Sequence, residues 1–297
     1  MARERLDRAA ARELIVADGA MGTQLQERGL EPGAPGELWN LERPGDVLAV
    51  HQSYLEAGAR VILTNTFGGS RWKLGVFGLG ERVAEVNRVG AELACEAARE
   101  GAWVLGDVGP TGRFVAPLGS DSFEDFVAVF AEQIEALLAG GVDGIVVETM
   151  TDLQEARAAL QAAKSLSDLP VVVTMTFTPD RTGDSFHTVM GAGVADSATA
   201  LQEGGADLVG SNCGVGAEAM VAVVEGLVPQ VTVPVVAKPN AGLPRLQAGR
   251  TVYGETPEQF ARAVGAVIRA GARVVGGCCG ITQEHIRRLA EAVSRGV

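Results

Sequence analysis

The segment Arg273-Val274-Val275-Gly276-Gly277-Cys278-Cys279-Gly280, near the C-terminus, joins a short apolar run to a glycine-rich end that carries two adjacent cysteines. A third cysteine, Cys213, follows a similar apolar run, Leu208-Val209-Gly210. A β-branched apolar run bounded by glycine is typical of a buried strand. The segment therefore predicts a strand of a covered sheet that ends at a group of thiols.

Predicted strands, each a short apolar run, alternate with helical stretches along the chain. We predict strands at 14–17, 60–63, 103–106, 144–147, 171–175, 207–210, 234–237 and 273–276. We predict the intervening helices at about 45–58, 81–100, 122–140, 152–166, 195–204, 216–229, 256–270 and 282–294. This strict alternation favours the (β/α)8 TIM barrel of the α/β class over an open doubly wound sheet, although alternation alone does not prove closure. No composition shift or Pro/Ser-rich linker divides residues 1–297, so we expect a single domain.

The composition narrows the class of protein further. The formal net charge is −12, and the sequence has no basic stripe of the kind that binds nucleic acid. No run of about 18 apolar residues is present, so we expect no membrane span. The N-terminus lacks an apolar signal region and the 297 residues hold four cysteines, too few for a disulfide framework. These features predict a cytoplasmic protein with reduced thiols.

Polar residues follow most of the predicted strands. In a barrel, the C-terminal ends of the strands surround one mouth, where active sites are built. We therefore expect the following segments to converge there: Asp18–Thr23, Thr64–Phe67, Asp107–Gly112, Glu148–Thr149, Asn212–Cys213, Lys238–Gly242 and Cys278–Cys279.

Three thiolates at one mouth would form a soft-metal site. Cys213, Cys278 and Cys279 would leave the fourth position of a tetrahedral zinc ion open, which is the catalytic pattern for zinc. The alternatives are cysteines that act as small buried hydrophobes, or a vicinal disulfide. Glycines beside the pair weaken a strand without adding packing, which favours the metal. We interpret Cys95, in a helical stretch, as a core residue.

The three histidines lack the spacing of metal ligands. His51, His187 and His285 are isolated in the sequence, with no His-Glu-x-x-His or His-x-His pattern. We predict that they lie on the surface.

Taken together, these motifs resemble the zinc-dependent homocysteine S-methyltransferases over about residues 10–295. The most specific element is Gly276–Gly280 with the upstream Asn212-Cys213. Within the family, the chain is most similar to the homocysteine-binding barrel of cobalamin-dependent methionine synthase. Asp107–Gly112 and Pro239–Gly242 carry that closer resemblance.

The resemblance implies a function and a set of residue roles. The chain would transfer a methyl group from an activated donor to the sulfur of homocysteine and so form methionine, with zinc on the three cysteines. Asp18 and Glu148 would face the substrate ammonium, and Asn240 would fill the fourth zinc position without substrate. The other implied substrate-binding residues are Gly19, Gly22, Thr23 and Asn65; loops that enter a helix, such as 19–23, often bind anions.

The methyl donor is left open by these motifs, which lie on the acceptor side. Relatives use methylcobalamin, S-methylmethionine or betaine. The closer resemblance favours a corrinoid donor, with cobalamin on a partner protein or domain or on other methionine synthase modules. Two alternatives stay open: another small thiol as acceptor, such as selenohomocysteine, and a non-catalytic zinc-binding subunit with four fixed ligands.

Overall fold

The computed structural model describes residues 4–99, 101–183, 185–247 and 250–296. Its centre is an eight-stranded parallel sheet in the order β1-β8-β7-β6-β5-β4-β3-β2. These strands are β1 (Ile15–Val16), β2 (Val61–Leu63), β3 (Trp103–Val108), β4 (Gly144–Met150), β5 (Val171–Met175), β6 (Leu208–Gly216), β7 (Val235–Asn240) and β8 (Ala272–Val275). A parallel bridge between Ala17 and Val61 joins the first strand to the second. The sheet therefore closes, and the predicted (β/α)8 barrel is confirmed.

Eight helices cover the outside of the sheet. They are α1 (Pro44–Glu56), α2 (Val83–Ala98), α3 (Phe123–Ala139), α4 (Leu153–Leu166), α5 (Val194–Glu203), α6 (Ala217–Leu227), α7 (Pro257–Arg269) and α8 (Gln283–Ser294). Local sequence fixes several of their starts. Ser122 and Asp125 form a capping box at α3, and Thr256 and Gln259 form another at α7.

Two apolar layers hold the barrel together. Side chains alternate along each strand, so Val104 packs in the layer between sheet and helices, whereas Trp103 and Leu105 point into the barrel. A short helix, Leu6–Ala10, contributes Leu6, Ala9 and Ala10 to the interior layer. Because this interior layer also includes Ile15, Val61 and Trp103 from the beginnings of strands, the helix covers the mouth opposite the predicted site.

Four strands run beyond their predicted ends. β3 continues to Val108, β4 to Met150, β6 to Gly216 and β7 to Asn240, so Asp107, Glu148 and Cys213 lie within strands rather than in the loops after them. Sequence patterns did not predict the short helices Met21–Glu27, Trp39–Glu42 and Arg71–Gly75, nor the hairpins Thr178–Pro179 with Phe186–His187 and Arg245–Gln247 with Arg250–Val252. In the part of the chain described, no helix is both long and apolar enough to cross a bilayer.

The prediction that all three histidines lie on the surface is wrong for two of them. His51, a residue of α1, is completely buried, and His285 is buried at the start of α8. His285 Nδ1 faces the hydroxyl of Thr282 at 2.9 Å and Nε2 faces the carbonyl of Glu255 at 3.0 Å, so helix capping fixes this ring. Only His187 is exposed, as predicted. Cys95 is half-buried and packs against the core between sheet and helices, so it lies at the margin of the core rather than within it.

Candidate metal and substrate site

Residues from the ends of seven strands line one cavity of about 300 Å³. The volume is that of a small-molecule pocket. Every predicted site residue except Asn240 is among those that line it: Asp18, Gly19, Gly22, Thr23, Asn65, Glu148, Cys213, Cys278 and Cys279. The polar strand ends therefore converge as expected, and Asn240 lies buried directly behind the cysteines.

The three cysteines form a compact group of free thiols. Cys213 Sγ lies 4.0 Å from Cys279 Sγ, Cys278 Sγ lies 3.9 Å from Cys279 Sγ, and all three sulfurs lie within 4.8 Å of one another. Zinc–sulfur bonds of about 2.3 Å in a tetrahedron would place neighbouring sulfurs about 3.8 Å apart. The spacing therefore fits three thiolate ligands of one zinc ion.

The thiols are electrostatically unequal. Hydrogen bonds from Cys278 and Cys279 lower the pKa of Cys213, while the same interaction raises the pKa of Cys278. The interaction among the three sulfurs therefore favours a thiolate within the group, and partly buried thiolates bind soft cations.

Backbone strain and hydrogen bonds position Cys213. Cys213 and Thr149 both have φ of +60°, a left-handed conformation that non-glycine residues seldom adopt. The side chain of Asn212 holds Thr149 in place, since its Oδ1 accepts from the Thr149 amide at 2.7 Å and its Nδ2 donates to the Thr149 hydroxyl at 2.7 Å. The same Oδ1 accepts from the hydroxyl of Thr174 at 2.7 Å. Asn212 therefore fixes the ends of three neighbouring strands around the thiol.

The Cys278–Cys279 pair lies in the loop after β8, held between two other strand ends. The amide of Gly277 donates to the carbonyl of Asp18 at 2.9 Å, and the amide of Cys278 donates to the carbonyl of Pro239 at 2.9 Å. A methyl group on Gly277 would lie 2.3 Å from Ile281, and Gly280 has φ of +79°. The glycines that flank the pair thus permit the sharp turn that presents both sulfurs to one point.

The amide side chains near the cavity have structural partners. Asn240 Oδ1 accepts from the Cys279 amide at 3.1 Å, which ties β7 to the cysteine loop. Asn65 Nδ2 donates to the Gly36 carbonyl at 2.8 Å and to Asn40 Oδ1 at 2.9 Å. Asn65 therefore also fixes the loop that covers the cavity, a role that its sequence context did not indicate.

The two glycines that follow β1, Gly19 and Gly22, have different surroundings. A methyl group on Gly19 would lie 2.7 Å from the Ile281 carbonyl, so Gly19 permits close packing. A methyl group on Gly22 would meet no atom within 4 Å. Gly22 and Thr23 lie in the first turn of Met21–Glu27, where amide groups have no partner within the helix.

Buried charges occupy the inner end of the cavity. Lys238 Nζ lies 3.1 Å from Asp18 Oδ1 and 3.8 Å from Glu148 Oε2. The second distance is that of an ion pair without a hydrogen bond. Burial raises the pKa of Asp18 and of Glu148, against the attraction of Lys238. Burial alone would lower the pKa of Lys238, but the two carboxylates outweigh it and raise that pKa.

Sequence reasoning missed Lys238 and Asp107 as site residues, although it placed their segments at this mouth. Both line the cavity, and each is at most 6% exposed. Burial and the nearby carboxylate of Glu148 raise the pKa of Asp107 well above its usual range. In the sequence, each of these two residues is a charged residue at the end of an otherwise apolar strand, and this pattern could have indicated a site residue.

The large apolar side chains that are exposed lie in one kind of loop. All those in the described part of the chain lie in loops that run from a strand to the following helix: Val76, Phe77, Phe114, Leu118, Val189, Leu243 and Leu246. Such loops surround the cavity mouth in a barrel. We call these seven residues the apolar rim; exposed apolar side chains at one end of a barrel are candidates for a surface of interaction.

Comparisons with known proteins agree with this site. The chain is 33% identical over 305 residues to the methionine synthase of Mycobacterium leprae and 34% identical over 302 residues to that of Mycobacterium tuberculosis. Each alignment covers 96% of this chain and 25% of the relative, so the chain spans about a quarter of the length of these relatives.

One solved structure has the same architecture over nearly the whole of both chains. The metallated form of the homocysteine methyltransferase MmuM from Escherichia coli superposes with a TM-score of 0.79 and 26% identity, over 96% of this chain and 98% of that one. Residues 15–293 match the family described as homocysteine S-methyltransferase. The resemblance inferred from the motifs is thereby confirmed, and the chain belongs to the homocysteine S-methyltransferase family.

Proposed function

We propose that this barrel is a single homocysteine-binding domain that holds zinc on Cys213, Cys278 and Cys279 and methylates the sulfur of homocysteine to form methionine. One observation carries the proposal: three thiols and a group of buried carboxylates line the same small cavity. A soft metal recognises sulfur, and carboxylates recognise an ammonium group. A thiol amino acid presents both groups a few bonds apart.

Zinc fits the donor set. Three cysteine ligands leave one tetrahedral position for an exchangeable group, whereas a structural site has four fixed ligands. The similarity to MmuM, which has a metallated form, supports a bound metal in this chain. When bound, zinc would keep a substrate thiol deprotonated near neutral pH, where a free thiol of pKa about 8.5 is mostly protonated. We further propose a reducing, cytoplasmic setting, because the three sulfurs must stay unoxidised.

The residues of the chain would bind and orient the amino acid. The ammonium group would lie toward the acidic inner end of the cavity formed by Asp18 and Glu148. The substrate carboxylate would lie at the first turn of Met21–Glu27, near the amides of Gly22 and Thr23. Asn240 would remain behind the cysteines as the group able to approach the fourth zinc position when no substrate is bound. These contacts leave the sulfur free to attack in line.

The transfer itself exchanges one bond for another. The lone pair of the homocysteine sulfur forms a bond to the methyl carbon, and the bond from that carbon to the donor breaks with its electron pair on the donor. We propose a corrinoid donor on a partner protein or a further methionine synthase module. The identity of about 33% to methionine synthases four times as long supports this choice.

The apolar rim gives this donor a surface on which to dock. Leu246 is 81% exposed, Val189 76% and Leu118 70%, and all three project from loops at the mouth. A small donor such as S-methylmethionine or betaine has no need of so broad an apolar surface, whereas a protein that presents a cofactor to the cavity would cover it.

Methionine formation with each donor tests the proposal. The zinc-loaded chain is incubated with homocysteine and methylcobalamin, S-methylmethionine or betaine, and methionine is measured by mass spectrometry. We expect turnover with methylcobalamin. Turnover with S-methylmethionine or betaine alone would refute the corrinoid donor and keep the acceptor assignment.

Variants of the cysteines test the metal site separately. We expect Cys213→Ala and Cys278→Ala each to abolish stoichiometric zinc binding and methyl transfer, while Cys95→Ala serves as the matched control. Full zinc content and activity in either site variant would refute the assignment. Zinc bound tightly without any effect of homocysteine on its coordination would instead favour a non-catalytic zinc-binding subunit.

A further inference from the structure

Tyr54 is a buried residue of α1 whose side chain reaches two loops of the cavity at once. Its hydroxyl lies 2.9 Å from the carbonyl of Ala20 and 2.8 Å from the carbonyl of Ile281, and its single proton can be donated to either. Tyr54 is 1% exposed, so water has little access to these contacts. Burial also raises the pKa of Tyr54 well above its usual range, so the phenol remains a donor.

The two carbonyls belong to the segments that support the two ends of the proposed substrate. Ala20 is the N-cap residue of the helix Met21–Glu27, whose first turn is the proposed site of the substrate carboxylate. Ile281 follows Cys279 by two residues, and its amide donates to the carbonyl of Cys278 at 3.2 Å. Tyr54 therefore contacts the carboxylate side of the cavity through Ala20 and the sulfur side through Ile281.

The ring of Tyr54 packs against the same two segments. A methyl group on Gly19 would lie 2.9 Å from Tyr54 Cε1, 2.8 Å from Ile281 Cγ2 and 2.7 Å from the Ile281 carbonyl. All three distances are shorter than ordinary van der Waals contacts, so only a residue without a side chain fits between the ring and Ile281. The loop after β1 is therefore fixed against both the tyrosine ring and the cysteine loop.

Main-chain hydrogen bonds also join the two loops directly. The amide of Ala20 donates to the Ile281 carbonyl at 3.1 Å, and the amide of Gly277 donates to the Asp18 carbonyl at 2.9 Å. These bonds hold the loops to each other, whereas the Tyr54 hydroxyl holds both of them to α1, a helix of the barrel wall. The separation between the carboxylate site and the sulfurs is thus fixed by the barrel frame as well as by the loops.

We propose that Tyr54 is a positioning residue that sets the distance between the carboxylate site and the three sulfurs, and so favours homocysteine over the shorter thiol amino acid cysteine. The inference rests on the proposed function, since it concerns the amino acid bound in that cavity. Cysteine has one methylene fewer between its sulfur and its α-carbon, so it cannot reach both sites when their separation is fixed. One methylene is worth about tenfold to two-hundredfold in selectivity.

The test asks whether loss of the hydroxyl changes the preference for chain length. Calorimetric titration measures binding of L-homocysteine and L-cysteine to the zinc-loaded wild type and to Tyr54→Phe, which keeps the ring. A third ligand, 3-mercaptopropylamine, is homocysteine without its carboxylate and reports on the sulfur and amine contacts alone. The matched control is Ser53→Ala on the same helix, where the lost hydroxyl donates to the Val50 carbonyl at 2.7 Å. Zinc content and melting temperature are measured for every variant.

We expect Tyr54→Phe to weaken homocysteine binding by about threefold to tenfold, as for loss of one neutral hydrogen bond. Binding of cysteine and of 3-mercaptopropylamine should change less than about twofold, because neither ligand spans both sites. The preference for homocysteine over cysteine therefore falls, while the unchanged third ligand shows that the variant is folded and zinc-loaded. Ser53→Ala should keep the wild-type preference.

Three results would overturn the role of Tyr54. One is a lower melting temperature of Tyr54→Phe with an unchanged preference, which would mean that the hydroxyl only stabilises the fold. The second is an equal change of preference in Ser53→Ala, and the third is a wild type that binds homocysteine no better than cysteine. Failure of the wild type to bind any of the three ligands would instead refute the proposed function itself.

Discussion

Replacing Lys238 with methionine removes the cation from a buried group of acids without changing the length of the side chain much. Lys238 is 5% exposed, and its Nζ lies 3.1 Å from Asp18 and 3.8 Å from Glu148. Removing one partner of a buried ion pair costs about 3–5 kcal/mol, because the remaining charge has no compensation. We expect a loss of stability within that range at pH 8, where the carboxyl groups are most strongly ionised.

The magnitude translates into a measurable shift in melting temperature. Unfolding of 297 residues has an entropy of about 600 cal/mol/K at roughly 2.1 cal/mol/K per residue. A loss of about 3–5 kcal/mol therefore lowers the melting temperature by about 5–8 °C. Calorimetry or circular dichroism on metal-free protein, kept free of zinc with a chelator, measures this shift without a contribution from ligands.

A matched control separates the buried pair from an exposed one. Lys164 Nζ lies 2.9 Å from Asp207, but the two side chains are 32% and 18% exposed, and Asp207 keeps a second partner in Arg5. We expect Lys164→Met to cost no more than about 1 kcal/mol, as for other surface pairs. Equal shifts for Lys238→Met and Lys164→Met, or a stabilised Lys238→Met, would refute the view that Lys238 compensates the buried acids.

Three further predictions follow from other parts of the structure. Burial lowers the pKa of His51 from 6.5 to about 4. The stability that neutral His51 provides above pH 6.5 is therefore lost as the pH falls toward 4, by about 3 kcal/mol. The free energy of unfolding in urea should depend less on pH in His51→Phe than in the wild type, and an equal pH dependence would contradict this. Gly277→Ala should weaken zinc binding at least tenfold in a chelator competition, because its methyl group would lie 2.3 Å from Ile281, whereas Gly45→Ala, with open space around it, should not. In the apolar rim, Leu243→Asp should slow transfer from a corrinoid protein but not from free methylcobalamin; equal slowing would argue against docking there.

Much of the barrel could be predicted from sequence because its elements obey local rules. Apolar runs of strand length, helix caps such as Ser122, and regular spacing identify the barrel strands, although β3, β4, β6 and β7 extend beyond their predicted ends. Those extensions depend on neighbouring strands rather than on local propensity. Cys213, for example, enters a left-handed conformation inside β6 that no pattern in Leu208–Gly216 indicates.

The candidate site was only partly predictable, because the role of a charged side chain depends on which side chains lie next to it in the fold. Cysteines beside glycines are conspicuous in a sequence, so the thiol group could be predicted from composition and context alone. A charged residue at a strand end can cap a helix, face solvent or lie buried, and only the positions of its partners decide among these. Lys238 and Asp107 became recognisable as site residues when the closed sheet placed them beside Asp18 and Glu148.

The same pairing explains why a cavity so rich in negative charge suits its proposed ligands. Three thiols and four carboxylic residues line the cavity, and Lys238 is the one lysine or arginine among the described residues there. A divalent metal ion would compensate the thiolates at one end, and an ammonium group would compensate the carboxylates at the other. A ligand that supplies only one of these contacts leaves the other end uncompensated. Under the proposed function, this distribution of thiols and acids would select a molecule that binds the metal through sulfur and the acids through an amine, as a thiol amino acid does.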